Sequence, residues 1–289
     1  MGLKKNQDKK IAKDKAIQKN IQNKQDWENA TVRENLGRKV NVHDFDTDKI
    51  TIALIGDEHI GSKFYDEDTH RTNIEWCYDN NIPLILMGDE METATKTSVG
   101  AGVFEQSEIV QEQLEKTAEI YKPLAEKGLI LGNHIGNHEA RVYNSSGANL
   151  SKILSQMLKI PYLHLGAAHI FRVGKKGNKQ SYTMYTTHGS SGARLPHTKI
   201  ANTIKLANMI DAEIYAQGHL HQLSHHTQNY YTIDKRKKTI KEDHKHYIIT
   251  GSYLDHWGSY AQMQSFEPAR KGSPKIKLSG LEHRIRVSL

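Results

Sequence analysis

The sequence predicts an α/β protein built from two stacked mixed sheets with helices outside. Three observations lead there. Near-continuous apolar runs of strand length alternate with helix-like segments in the first half of the chain. These runs end in polar, glycine-flanked clusters, at the carboxyl ends of strands where α/β sheets place their chemistry. The second half turns mostly to strands and hairpins, which two stacked sheets bury more economically than a single doubly wound sheet.

Residues 1–48 are polar, rich in Lys, Asn and Gln, and poor in aromatics. Six of the seven net positive charges of the 289-residue chain fall within residues 1–24. This segment reads as a basic N-terminal arm, partly helical or disordered, preceding a catalytic domain at 49–289. The first strand is 50–55, buried on both faces, with Asp57 just beyond it. A helix over 68–80 and a strand over 83–87 complete a βαβ unit that ends at Gly88-Asp89. Residues 90–103 are small and polar and read as an active-site loop. An acidic amphipathic helix follows over 104–121, with Pro123 expected to disrupt its end. The strand 128–135 delivers Gly136-Asn137-His138-Glu139, and a helix over 148–158 stops before Pro161.

Beyond residue 168 the pattern changes. Strands at 169–173 and 181–187 flank a Gly-rich hairpin turn at 174–178, and His188 closes the second. A helix over 199–210 leads to a strand at 213–216 and then Gly218-His219-Leu220-His221. A second hairpin joins 223–233 to 239–250 around the basic turn 234–238, and the last strands lie within 275–287.

Composition narrows the function classes. The single cysteine, Cys77, excludes an internal disulfide framework and reads as core in its helix. No apolar run reaches the length of a membrane span, and no apolar segment follows the Lys-rich start, so a cytoplasmic protein with no membrane partner is expected. A pI of about 9.2 suggests an anionic partner. The sequence does not fix the oligomeric state.

The chemistry lies in five polar clusters taken together: Asp57-Glu58-His59, Gly88-Asp89-Glu90, Gly136-Asn137-His138-Glu139, Thr187-His188-Gly189 and Gly218-His219-Leu220-His221. They offer two Asp, one Asn and four His as ligands, with His138 left over, which is enough for two metal ions sharing one bridge. Imidazole, carboxylate and amide oxygen suit Mn, Fe or Zn better than an all-oxygen Ca or Mg cage. In Asp57-x-His59 and His219-x-His221, extended alternation would put both side chains of a pair on one side. A carboxylate such as Asp89 can bridge two ions that activate water and neutralise phosphoryl charge.

With these motifs the chain resembles the calcineurin-like metallophosphoesterase superfamily, from about residue 49 to 251. Asp-x-His, Gly-Asp, Gly-Asn-His-Glu, His and Gly-His-x-His are all present, in that order. The longer wording around Gly88 to Gly100 and His188-Gly-Ser-Ser-Gly192 looks like the branch often carried by phages and prophages, related to DNA-repair exonuclease-like phosphoesterases. The resemblance implies a four-layer α/β/β/α sandwich and a two-metal hydrolase. One ion would be held by Asp57, His59, Asp89 and His221, and the other by Asp89, Asn137, His188 and His219. His138 would serve as general acid or phosphate contact, with Glu139 orienting it. Glu90 departs from the commoner residues after Gly-Asp, either adding charge near the metals or facing away.

Arg141 and Arg194, close to motif positions, are candidates for binding substrate phosphate. Asn133 and His134 read as structural, His225 and His226 as strand positions. His256 and Trp257 could stack on a base, or Trp257 could be a buried anchor. The expected activity is phosphodiester hydrolysis in nucleic acid, with the basic arm adding sequence-independent affinity. The alternatives are a phosphoesterase acting on nucleotides or cyclic nucleotides, and a non-catalytic scaffold. The last is disfavoured by the intact ligand set.

Overall fold

The computed structural model describes residues 40–95, 98, 102–175 and 177–289. Residues 1–39, most of the expected arm, lie outside them, as do 96, 97 and 99–101 of the expected active-site loop.

Two six-stranded sheets form the centre. One has the order β12-β11-β2-β3-β4-β5, from β2 (Lys49–Ile55), β3 (Leu84–Leu86), β4 (Ile130–His134), β5 (Tyr162–His164), β11 (Lys275–Ser279) and β12 (Ile285–Ser288). The other has the order β1-β6-β7-β8-β10-β9, from β1 (Val40–Phe45), β6 (Gly166–Lys175), β7 (Asn178–Thr187), β8 (Ile214–Gln217), β9 (Ser224–Asp234) and β10 (Thr239–Ile249). Both are mixed: β2, β3, β4 and β5 pair in parallel, as do β7, β8 and β10, while β11 and β9 join antiparallel.

Strand alternation explains why the early apolar runs are unbroken. In β2, Ile52 and Leu54 face the other sheet, whereas Ala53 and Ile55 face a helical layer. Next to it, Ile85 and Met87 point between the sheets, Leu84 and Leu86 toward the helices. The helical layer contains α1 (Glu67–Asp79), α2 (Val110–Glu126) and α4 (Leu150–Leu158), whose Ile74, Leu124 and Leu154 share its core. On the outer face of the second sheet, Tyr215 and Tyr247 stack at 5.2 Å under α5 (Pro196–Ile204) and the 3-10 turn Lys205–Asn208. Helices, sheet, sheet and helices thus follow one another, the expected four-layer sandwich. Cys77 is fully buried in the core, and burial pushes its thiol up to about 11. Among the described residues no helix is long and apolar enough to cross a membrane.

Several elements differ from the sequence reading. Val40–Phe45, assigned there to the arm, is an edge strand pairing in parallel with β6. Only His43 of its side chains is buried, so it carries no apolar run to announce it. The helix expected over 104–121 begins at Val110 and runs through Pro123 to Glu126. Burial of Tyr121 and Leu124 on either side outweighs the missing hydrogen bond at Pro123. Gly102–Glu105 is a separate 3-10 turn. An unexpected helix, α3 (Asn137–Ser146), starts on the ligand loop itself and ends at Gly147 in the left-handed region, φ 78°. A four-residue helix, α6 (Tyr260–Met263), precedes β11.

Candidate metal centre

The carboxyl ends of β2, β3, β4, β7 and β8 meet at one edge, and each is followed within three residues by a predicted ligand: Asp57, Asp89, Asn137, His188 and His219. The loops after β2 and β3 are tied together by the main chain. Asp57 N–H donates to Gly88 O at 2.9 Å, His59 N–H to Asp89 O at 3.1 Å and Ile60 N–H to Glu90 O at 2.9 Å. The second sheet joins them where His219 N–H donates to the Asp57 carboxylate at 3.0 Å and Thr250 Oγ1 to its Oδ2 at 3.2 Å.

The ligand pairs do not alternate along extended backbone as the sequence suggested. Asp57, His59, Asp89, His219 and His221 all have positive φ, between 48° and 65°. Non-glycine residues occupy this region at a cost of the order of 1–3 kcal/mol each, and such residues cluster at functional sites. Tight left-handed turns, rather than strand pleat, aim these side chains at a common point.

All seven predicted ligands converge. The ligand atoms of Asp57, His59 and His221 lie within 4.8 Å of one another, as do those of Asp89, His188 and His219. His59 Nε2 is 3.1 Å from His221 Nε2, and His221 Nε2 is 3.2 Å from Asp57 Oδ1. His188 Nε2 is 3.2 Å from Asp89 Oδ2 and 2.9 Å from Asn137 Oδ1. Asp89 belongs also to a third group with His59 and His138, which places it between the two.

The donor chemistry fits divalent metal ions. His188 Nδ1–H donates to Met87 O at 2.8 Å, so its Nε2 is the atom that faces Asp89 and Asn137. His59 places Nδ1 3.0 Å from Glu92 Oε2, which leaves its Nε2 facing His221. Two imidazole nitrogens 3.1 Å apart cannot both be bare without a cation or a proton between them. The charges agree. Burial alone would lower His59 and His188. The hydrogen bond to Glu92 and the charges of Glu92, Asp89 and Asp57 instead raise His59 to about 9, and Asp89 with Asp57 raises His188 to about 10. Burial would likewise raise Asp57 and Asp89, yet His221 holds the first below the ordinary carboxylate value and His188 and His138 hold the second well below it. Bound metal ions would replace these protons.

Behind the ligands the carboxyls behave oppositely. Burial pushes Glu58 up to about 8 and Glu90 well above the carboxylate range, so both hold protons at neutral pH. Glu90 accepts from Gly88 N–H at 2.9 Å and braces the turn. Glu139, raised by burial to about 7, does not orient His138 as the resemblance implied: it accepts from Asp89 N–H at 3.2 Å and Met91 N–H at 2.9 Å and so fixes the loop carrying Asp89. His138 is oriented by Glu92, whose main-chain oxygen accepts from its Nδ1–H at 2.7 Å. Its Nε2, 3.9 Å from Asp89 Oδ2, is left bare, and burial, against the raising influence of Asp89, lowers the group to about 4. The sequence reading missed Glu92; the signal was a third acid in Asp89-Glu-Met-Glu92, on a loop rather than in a periodic element.

The site opens into a cleft of about 660 Å³ lined by His138, Arg141, Arg194, Lys199, His256 and Phe266 among others. Arg141 donates to Ser98 Oγ at 3.1 Å, and the Arg194 guanidinium lies 5.4 Å from the Phe266 ring centre. Trp257 is 77% exposed and no buried anchor. Asn133 and His134 are structural, buried and bonded to Ser151 O and to Thr186 Oγ1.

Gly136 is where the loops touch most closely. A Cβ there would lie 2.1 Å from both the N and Oδ1 atoms of Asp89. Gly136→Ala is therefore expected to lower stability by about 1–3 kcal/mol, read as a reduced denaturant midpoint of the metal-free protein. An unchanged midpoint would show that the loops are not packed this way.

No protein-family model matches the sequence, and no curated protein matches it. Among solved structures the chain is similar to a protein of Streptococcus pneumoniae TIGR4 described as a predicted phosphoesterase, with 12% identity and a TM-score of 0.33 over 80% of this chain and 84% of that one. It is similar to Vacuolar Protein Sorting 29 from Cryptosporidium parvum, at 14% identity and a TM-score of 0.39 over 83% and 97% of the two chains. A metallophosphoesterase from Sphaerobacter thermophilus matches at 11% identity and a TM-score of 0.36 over 82% and 86%.

Proposed function

We propose that this chain is a two-metal phosphoesterase that hydrolyses phosphodiester bonds, with nucleic acid as its substrate. The observation that carries the reading is Asp89, placed between two His-containing donor groups at the base of a cleft that Arg141 and Arg194 also line. The ions would be held by Asp57, His59, Asp89 and His221 and by Asp89, Asn137, His188 and His219. The nitrogen-and-oxygen donor set suits Mn, with Fe or Zn as other occupants. When bound, such ions act as Lewis acids toward the phosphoryl oxygens and bring the pKa of a water near neutrality.

The protein's own contribution is positioning and proton handling. His138, its Nδ1–H fixed on the Glu92 carbonyl, takes up or hands over a proton at Nε2. Arg141 and Arg194 reach into the same cleft and offer guanidinium groups to phosphate oxygens. The nucleic-acid assignment draws on the basic segment before Val40. A second reading, a nucleotide-sized substrate, draws on the cleft volume, which matches small-molecule pockets.

Metal-stripped protein re-supplied with Mn is expected to cleave single-stranded DNA, duplex DNA or RNA as well as bis-p-nitrophenyl phosphate. Removal of residues 1–39 is expected to depress polynucleotide cleavage and to spare the aryl diester. Cleavage of the aryl diester alone would replace nucleic acid by a nucleotide-scale substrate. No Mn-dependent hydrolysis of any of the four would overturn the phosphoesterase reading.

A further inference from the structure

The β9–β10 hairpin continues well past the sheet that carries it. The parallel pairing of β10 with β8 begins at His246, so every earlier residue of β10 has only β9 beside it. From Thr227 to Lys245 no residue is buried. Beyond its base, where Lys245 reaches Asp211 and Tyr215, the ribbon extends past the layers.

Its tip is Lys235-Arg236-Lys237-Lys238, four consecutive exposed cations. Asp234, the acid next to them, spends Oδ1 on the turn itself, accepting from Arg236 N–H and Lys237 N–H at 2.9 Å. Other lysines of the ribbon are neutralised: Lys245 pairs with Asp211 at 2.6 Å and Lys241 with Asp243 at 3.4 Å. Among the described residues none of the four tip cations is in an ion pair. Beside the tip, Ile233 and Ile240 face each other across the strands, and Tyr231 lies on the same face. All three are exposed, at 77%, 73% and 77% for Ile233, Ile240 and Tyr231. Clustered cations beside three exposed large apolar groups mark a surface suited to an anionic partner.

We propose that this hairpin is a docking arm for a nucleic-acid duplex. Charge complementarity selects the occupant: closely spaced phosphates neutralise four clustered cations. Shape agrees. Two strands about 4.8 Å apart make a ribbon that enters a major groove about 12 Å wide, where Ile and Tyr side chains meet base methyls and sugars. The reach of the arm follows from the fold. β9 starts three residues after the ligand His221 and runs ten residues away from the metal edge. At about 3.4 Å per residue the tip is roughly 34 Å from the centre, the length of about ten base pairs. A duplex shorter than this cannot touch tip and metals together. The docking stands on the hairpin alone; its coupling to cleavage rests on the function proposed above.

The test is a full-length variant carrying Lys235→Gln, Arg236→Gln, Lys237→Gln and Lys238→Gln, compared with the wild type by fluorescence anisotropy. The probe is a labelled duplex of about thirty base pairs in the presence of a metal chelator, so hydrolysis plays no part. Neutralisation is expected to raise Kd at least tenfold and to flatten the salt dependence by roughly three to four in log–log slope. Hydrolysis of bis-p-nitrophenyl phosphate is expected to stay unchanged. Identical Kd and slope would overturn the proposal, leaving any observed hydrolysis in place. So would variant-sensitive binding to phosphatidylserine vesicles with unaltered duplex binding, which would assign the hairpin to a lipid surface. Hairpin-dependent duplex binding by a protein that hydrolyses no diester would sustain the docking arm and reject the catalytic reading.

Discussion

Asp89→Ala is expected to release both ions and to lower kcat/KM for a phosphodiester by at least about a thousandfold, about 4 kcal/mol of transition-state stabilisation. The residue is 1% exposed, and its Oδ2 lies 3.2 Å from His188 Nε2. Its Oδ1 accepts from His138 N–H at 2.8 Å, which anchors the start of α3. One carboxylate thus lies within 4.8 Å of ligand atoms in both donor groups and holds the loop that supplies Asn137. Metal analysis of the purified variant measures the first effect and initial rates the second. A variant that keeps a full complement of metal, or loses one ion with activity intact, would mean that Asp89 is not shared.

His138→Ala should behave differently. The side chain is not in either ligand set; its Nε2 approaches Asp89 no closer than 3.9 Å. The variant is expected to retain its metal while kcat falls by about 10²–10⁴-fold, the range associated with a positioned proton donor or acceptor. KM should move little, because Arg141 and Arg194 remain in the cleft. Equal metal loss in the His138 and Asp89 variants would contradict the division of roles between them.

The metal site was more legible in the sequence than the machinery around it, for physical reasons. The candidate ligands Asp57, His59, Asp89, Asn137, His188, His219 and His221 are particular residue types just beyond strand ends, so they could be singled out in the sequence, and the structure brings them together. The four-layer fold follows from β2 and β3, whose unbroken apolar runs require cover on both faces. What supports the ligands leaves weaker marks. Glu139 braces Asp89 N–H with its carboxylate, as any acid at the right distance could, and Glu92 receives His138 Nδ1–H on its main-chain oxygen, which any residue there would offer. The left-handed turns at the two Asp and three His ligands are enforced by contacts between loops far apart in sequence. β1 escaped notice because an edge strand that buries only His43 reads as polar chain. The helix over Asn137–Ser146 was hidden by its own first turn, in which the ligand motif reads as loop.

The central claim is a pair of ions bridged by one residue, and the most direct measurement is Mn binding to metal-stripped protein followed by electron paramagnetic resonance. Two Mn per chain with the spectrum of a spin-coupled pair, reduced to uncoupled or absent signal by Asp89→Ala, is the predicted result. A single uncoupled Mn per chain at saturation, unaffected by that substitution, would contradict it.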